Sequence, residues 1–169
     1  MKPQLGDTIL NRYTLVSSLR EEPGIQAWKA NDRVLAKDCQ LFIITDRSAF
    51  AAIDKFAGRI AATRPDRVIP ILKYRMESDV LLIVMPVDSG QCLTDYMVDT
   101  AKPLSYSAIR SIIGECADVL REVIADTPSG IVITTDTVRV TTSGVQIADA
   151  PCATMLADTV RYRSAYGRS

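Results

Sequence analysis

Histidine is absent from all 169 residues. Its absence removes the Ser-His-Asp and Cys-His triads, the HExxH zinc helix and most zinc-finger patterns in one step. An enzyme of this composition would need carboxylates, lysine or a bound Mg²⁺ for its chemistry. Net charge is missing too: 20 basic residues balance 20 acidic ones, and the basic residues are scattered. Nucleic acid and anionic membrane are therefore not expected partners. The four cysteines, Cys39, Cys92, Cys116 and Cys152, never occur at CxxC spacing. Cys92, Cys116 and Cys152 each adjoin an apolar residue, and all four read as reduced core thiols. The longest apolar run, VLLIVMPV at 80–87, is far too short to span a bilayer. No signal peptide, internal repeat or low-complexity linker is visible, so a cytoplasmic location is expected.

What is present is a mixed pattern of strand and helix. Residues 12–19, 25–30 and 39–45 read as three strands. The first alternates through Tyr13, Leu15, Ser17 and Leu19, which suits an antiparallel sheet with one wet face. RSAFAAIDKFAGRIAAT, 47–63, puts Phe50, Ile53, Phe56, Ala57 and Ile60 at helical spacing. Asp46 or Ser48 can cap that helix, and Arg64-Pro65 ends it. Strands near 67–75 and 79–86 follow, joined by a polar turn at 77–79. The second half opens with a short helix, CLTDYMV, and continues with a long one over Ser107–Ala125. Ile109, Ile112, Ile113, Cys116, Leu120, Val123 and Ile124 form a broad apolar stripe on it, which requires burial by the tail or an oligomer contact. Short β segments GIVI, TVRV and VQIAD come next, then a basic tail. The fold class expected is α+β: a five-stranded antiparallel sheet with one helix over residues 1–86, then a mostly helical portion over 87–169.

The order of these motifs resembles the bacterial Ser/Thr protein kinase family of Hanks type, from Arg12 to about Asp149. The family opening R-Y-x-L, a glycine loop, V-x-x-A-x-D and L-x-R-x-V-A-V-K lay onto Arg12–Phe42 without a gap. Arg12, Tyr13, Leu15, Leu19, Ala30, Asp32 and Leu35 agree with it. RPDRV at 64–68 resembles the tail of the family's first helix, IVMPVDSGQCLTD at 83–95 its hinge, and the long helix its αE. The resemblance implies a kinase-like N-lobe over 1–86 and a truncated C-lobe over 87–169, without the A-P-E segment.

The same register implies that catalysis is lost. The three glycines that approach phosphate fall on Arg20, Glu22 and Ile25. The phosphate-pairing lysine falls on Phe42, and the alanine over adenine on Gln40. The glutamate of the first helix falls near Asp54 or Lys55. The catalytic loop falls on Gly130–Thr137: its histidine becomes Gly130, its base Val132, its lysine Thr134 and its Mg²⁺ asparagine Thr137. Only Asp149 remains at the metal-binding aspartate, and one carboxylate is a poor Mg²⁺–ATP site. The expectation is an inactive pseudokinase, a regulatory or protein-binding module with no cofactor or metal. The alternatives are an atypical nucleotide binder or weak kinase relying on Asp149, and an unrelated α+β adaptor.

A narrower resemblance is to the actinobacterial pseudokinase attached to the lipid II flippase. It implies a role in peptidoglycan biosynthesis, tethering to a membrane protein through a longer chain, and phosphothreonine recognised by a forkhead-associated (FHA) domain protein. Thr154 and Thr159, followed by Arg161 and Arg163, are the candidate phosphoacceptors for a Ser/Thr kinase.

Overall fold

A computed structural model describes residues 2–77, 79–88, 90–99, 101–126, 133–148 and 152. The chain divides into two compact units, one of residues 1–57 with 70–87 and one of residues 58–69 with 88–169.

The first unit holds a six-stranded antiparallel sheet in the order β1-β2-β3-β4-β6-β5. Its strands are β1 (Thr8–Ile9), β2 (Tyr13–Glu22), β3 (Ile25–Asp32), β4 (Lys37–Ile44), β5 (Lys73–Met76) and β6 (Leu81–Pro86). The count is six rather than the expected five because Thr8–Ile9 pairs with Tyr13 and Thr14. The fifth strand is also shorter than expected and begins only at Lys73. Pro70 has no N–H to donate, and Val68 bridges to Ile147 instead.

Burial shows why β4 and β6 lie inside the sheet. From Cys39 to Ile44, and from Leu81 to Met85, every residue is buried. Such continuously buried runs, apolar except for Gln40, suit strands covered on both faces. Tyr13, Leu15, Trp28, Ala30, Cys39, Leu41, Ile43, Leu82 and Val84 form one cluster. The alternating residues, among them Ala27, Phe42, Ile44 and Ile83, are buried on the other face. Strand β2 carries irregularities between Leu15 and Ser17 and between Ser18 and Arg20. They leave Val16 and Leu19 on the surface.

A single turn of 3-10 helix, Arg47–Ala49, leads into α1 (Phe50–Thr63). Asp46 caps the turn by accepting the Ser48 N–H at 3.0 Å. Phe50, Ile53, Ala57 and Ile60 are buried as their spacing requires. Helix α1 ends before Arg64, whose φ of 45° is left-handed.

The second unit contains β7 (Gln91–Cys92), α2 (Leu93–Val98), α3 (Tyr106–Asp126), β8 (Val138–Thr141) and β9 (Gly144–Ile147). The three strands form a small antiparallel sheet in the order β7-β8-β9, and α3 packs on β9. Glu115 joins them: its carboxylate accepts the Val145 N–H at 2.6 Å and pairs with Arg67 at 3.2 Å. Gly144 sits at φ 123°, a backbone conformation that residues with a Cβ rarely adopt. Among the described residues no helix is long and apolar enough to cross a membrane.

Candidate functional site

The hairpin β2–β3 occupies the place where the sequence resemblance puts a phosphate-covering loop. Its closing pair is Glu22 with Ile25, so only Pro23 and Gly24 form the turn. Gly24 sits at φ 76°, the value a type II turn needs after proline. The Gly24 carbonyl accepts the N–H groups of Thr45 at 2.9 Å and Asp46 at 3.3 Å. A Cβ on Gly24 would lie 2.7 Å from the Asp46 Cβ. The tip is thus continued into the β3–β4 ladder and packed on its own sheet, and its one glycine serves that packing. Of the three glycine-equivalent positions, Arg20 and Glu22 are half-buried and Ile25 is buried. Glu21 is exposed and pairs with Lys2.

Phe42 is 1% exposed and lies across from Ala27 on one neighbouring strand and Ile83 on the other. A buried, uncharged ring thus stands at the position that the sequence resemblance assigns to the lysine. Burying it stabilises the sheet by roughly 2–3 kcal/mol. Gln40, on the same face, is buried between Lys29 and Met85. On α1, Asp54 is half-buried and Lys55 is exposed.

In the second unit, Gly130, Val132 and Asp149 lie outside the described residues, as do Thr154 and Thr159. Thr137, the asparagine-equivalent position, is 2% exposed. Its hydroxyl accepts the Thr134 N–H at 2.9 Å and donates to the Thr134 carbonyl at 3.1 Å. Its own carbonyl accepts the Ala148 N–H at 2.7 Å. The hydroxyl is committed to holding a turn and the carbonyl to extending the β8–β9 pairing. The flanking residues are committed as well. Asp136 accepts the Thr94 hydroxyl at 2.7 Å. Arg139 pairs with Asp88 and donates to the Asp136 carbonyl at 2.5 Å. The Cys92 thiol donates to the Thr135 carbonyl at 3.4 Å. Among the described residues no group of three or more Cys, Asp and Glu could hold a metal ion.

Sequence reasoning missed an apolar groove of about 570 Å³ between α2 and α3. Leu93, Tyr96, Met97, Leu104, Ile109 and Ile113 contribute to its lining, and among the described residues Asp99 is the one charged side chain there. The groove takes in part of the α3 stripe expected to be covered by the tail or an oligomer contact, and the tail lies outside the described residues. Ile112, Val119 and Val123 are buried, whereas Ile109 is 42% and Ile113 63% exposed; Ile124 lies beyond the described side chains. The signal was legible in the spacing. Tyr106, Ile109 and Ile113 stand at i, i+3 and i+7, a second stripe beside the one through Ile112, Val119 and Val123.

No protein-family model matches the chain, and no curated protein is similar to it.

Proposed function

We propose that this chain is a catalytically inactive kinase-like module, a pseudokinase, that acts by binding protein partners. Phe42 carries the reading. A buried ring replaces the one cation that a kinase-like sheet supplies to the α- and β-phosphates, and the residues directly across from it, Ala27 and Ile83, are uncharged. The closed hairpin tip and the committed hydroxyl of Thr137 support it. Each removes a different part of phosphoryl transfer, which depends on positioning and charge stabilisation rather than on covalent chemistry by the protein. The kinase-like fold itself rests on motif order in the sequence, together with an antiparallel sheet that takes in β2, β3 and β4 and is followed by α1.

The direct test is calorimetry and thermal shift with Mg²⁺–ATP up to millimolar concentration. No heat of binding and no shift in Tm are expected. A micromolar Kd, or phosphate transfer to a generic acceptor, would refute the proposal. The narrower role, a phosphothreonine-dependent partner of an FHA-domain protein in cell-wall synthesis, rests on the sequence resemblance alone. Treatment with a bacterial Ser/Thr kinase followed by mass spectrometry should place phosphate on Thr154 or Thr159. Modification elsewhere only, or FHA binding that survives Thr154→Ala with Thr159→Ala, would exclude that role.

A further inference from the structure

The α2–α3 groove is more apolar than a surface helix pair requires. Met97 and Ile113 are each 63% exposed at its edge, and Tyr106 at the start of α3 is 81% exposed. Side chains of this size, clustered and uncovered, mark a binding surface rather than ordinary scatter. The groove is also the size of a site that takes a few anchoring side chains.

The chain itself carries a segment of matching chemistry. Residues 153–169, outside the described residues, hold Met155, Leu156, Val160, Tyr162 and Tyr166 interleaved with Arg161, Arg163 and Arg168, against one acid, Asp158. Apolar anchors suit the aliphatic lining. The arginines suit the carboxylate of Asp99 in the groove and that of Asp95 one turn earlier on α2. We propose that this groove is the seat of residues 153–169 of the same molecule.

Reach and concentration favour the same molecule over a second copy. Cys152, where the segment starts, is buried at 1% exposure, so the segment is anchored at one end. Extended, a segment of this length spans up to ~55 Å, whereas a compact body of about 90 residues is ~30 Å across. A tether this short gives an effective concentration in the millimolar range. An affinity too weak to assemble dimers at micromolar protein would still fill the groove. The proposal is independent of the pseudokinase reading, since it uses only α2, α3 and the sequence that follows Cys152.

The test is photo-crosslinking in the full chain, with a benzophenone amino acid in place of Tyr162. At low micromolar protein, irradiation should give an intramolecular product whose cross-linked peptides contain Met97, Ile109 or Ile113. Met97→Asp with Ile113→Asp should lower the yield about tenfold, an affinity loss of one order; both sites are exposed, so the fold should persist by circular dichroism. Arg161→Glu with Arg163→Glu, which leaves the groove untouched, should lower it several-fold. A cross-linked dimer, cross-links to other surfaces, no cross-link, or yields unchanged in both variants would each overturn the proposal. So would a small apolar molecule retained in native mass spectrometry without any cross-link to the tail.

Discussion

Asp32 is one of three polar side chains buried among the described residues, with Gln40 and Thr137. Its carboxylate is held bidentately by Arg12, at 2.8 and 2.7 Å, and accepts the Val34 and Leu35 N–H groups at 3.0 and 3.3 Å. The Arg12 hydrogen bonds come first among the causes that hold the Asp32 pKa down to about 2. A carboxylate with a lowered folded pKa stabilises above its unfolded value, and that contribution disappears as pH falls through the folded one. Asp32 should therefore contribute about 2 kcal/mol at pH 7, lost between roughly pH 4 and pH 2. Urea melts of the wild type and Asp32→Asn across that range should show a gap that closes toward pH 2; a constant gap would contradict the assignment. Phe42 poses the opposite case, a buried site with no partner for a charge. Phe42→Lys should destabilise by roughly 3–5 kcal/mol and should not confer binding of Mg²⁺–ATP, as thermal melts with and without nucleotide will show. The strand that carries Phe42 was readable in the sequence. The commitment of Thr137 to Thr134 was not, because a hydroxyl's partner depends on how the turn closes.

At the scale of elements, α3 separates a buried stripe from an open one. Val119 is 1% exposed and Ile113 is 63% exposed, six residues apart on the same helix. Val119→Ala should cost roughly 2 kcal/mol, and Val119→Asp should prevent folding. Ile113→Asp should lower the urea midpoint much less than Val119→Ala, since it weakens only the seating of residues 153–169 in the groove. Equal effects at the two positions would place the packed face elsewhere. The sequence showed this helix almost to its ends, because a long periodic segment with polar flanks has few competing conformations. It also showed β2, β3, β4 and β6, whose alternation or continuous apolar character extends over enough residues to register. It did not show β1 or β7. Each has two residues, too few for any period, and each is defined by the strand it pairs with. The stretch from Arg67 to Leu72 misled for a related reason. Its apolar residues suit a strand, but the Arg67 carbonyl and the Ile69 N–H bond to Ile147, across from Val68, a contact set by tertiary packing that no local pattern carries.

At the scale of the whole molecule, the boundary between units does not follow the chain. Residues 58–69 belong with 88–169, while 70–87 return to the first unit. The inserted segment supplies an ion pair and several hydrogen bonds to the second unit. Arg67 pairs with Glu115, and the Asp66 N–H donates to Glu122 at 3.1 Å. The Ile69 N–H donates to the Ile147 carbonyl at 2.9 Å, and the Ile147 N–H donates to the Arg67 carbonyl at 2.7 Å. A fragment of residues 88–169 keeps every regular element of the second unit except its share of α1, yet it leaves Glu115 and the outer edge of β9 without these partners. Val68 and Ile69, both buried, would also be missing from its core. Lost partners at buried or half-buried polar groups cost about 1–3 kcal/mol each, comparable in sum to the whole stability of a domain this small. The fragment 88–169 should therefore be unfolded by circular dichroism and by amide exchange. The fragment 58–169, which restores the segment, should fold cooperatively. Residues 1–87 contain all of the first unit and should retain the strand signal of its six-stranded sheet. Cooperative folding of 88–169 alone would mean that the 66–69 segment is peripheral and that the second unit is built from α3 and the β7-β8-β9 sheet without it.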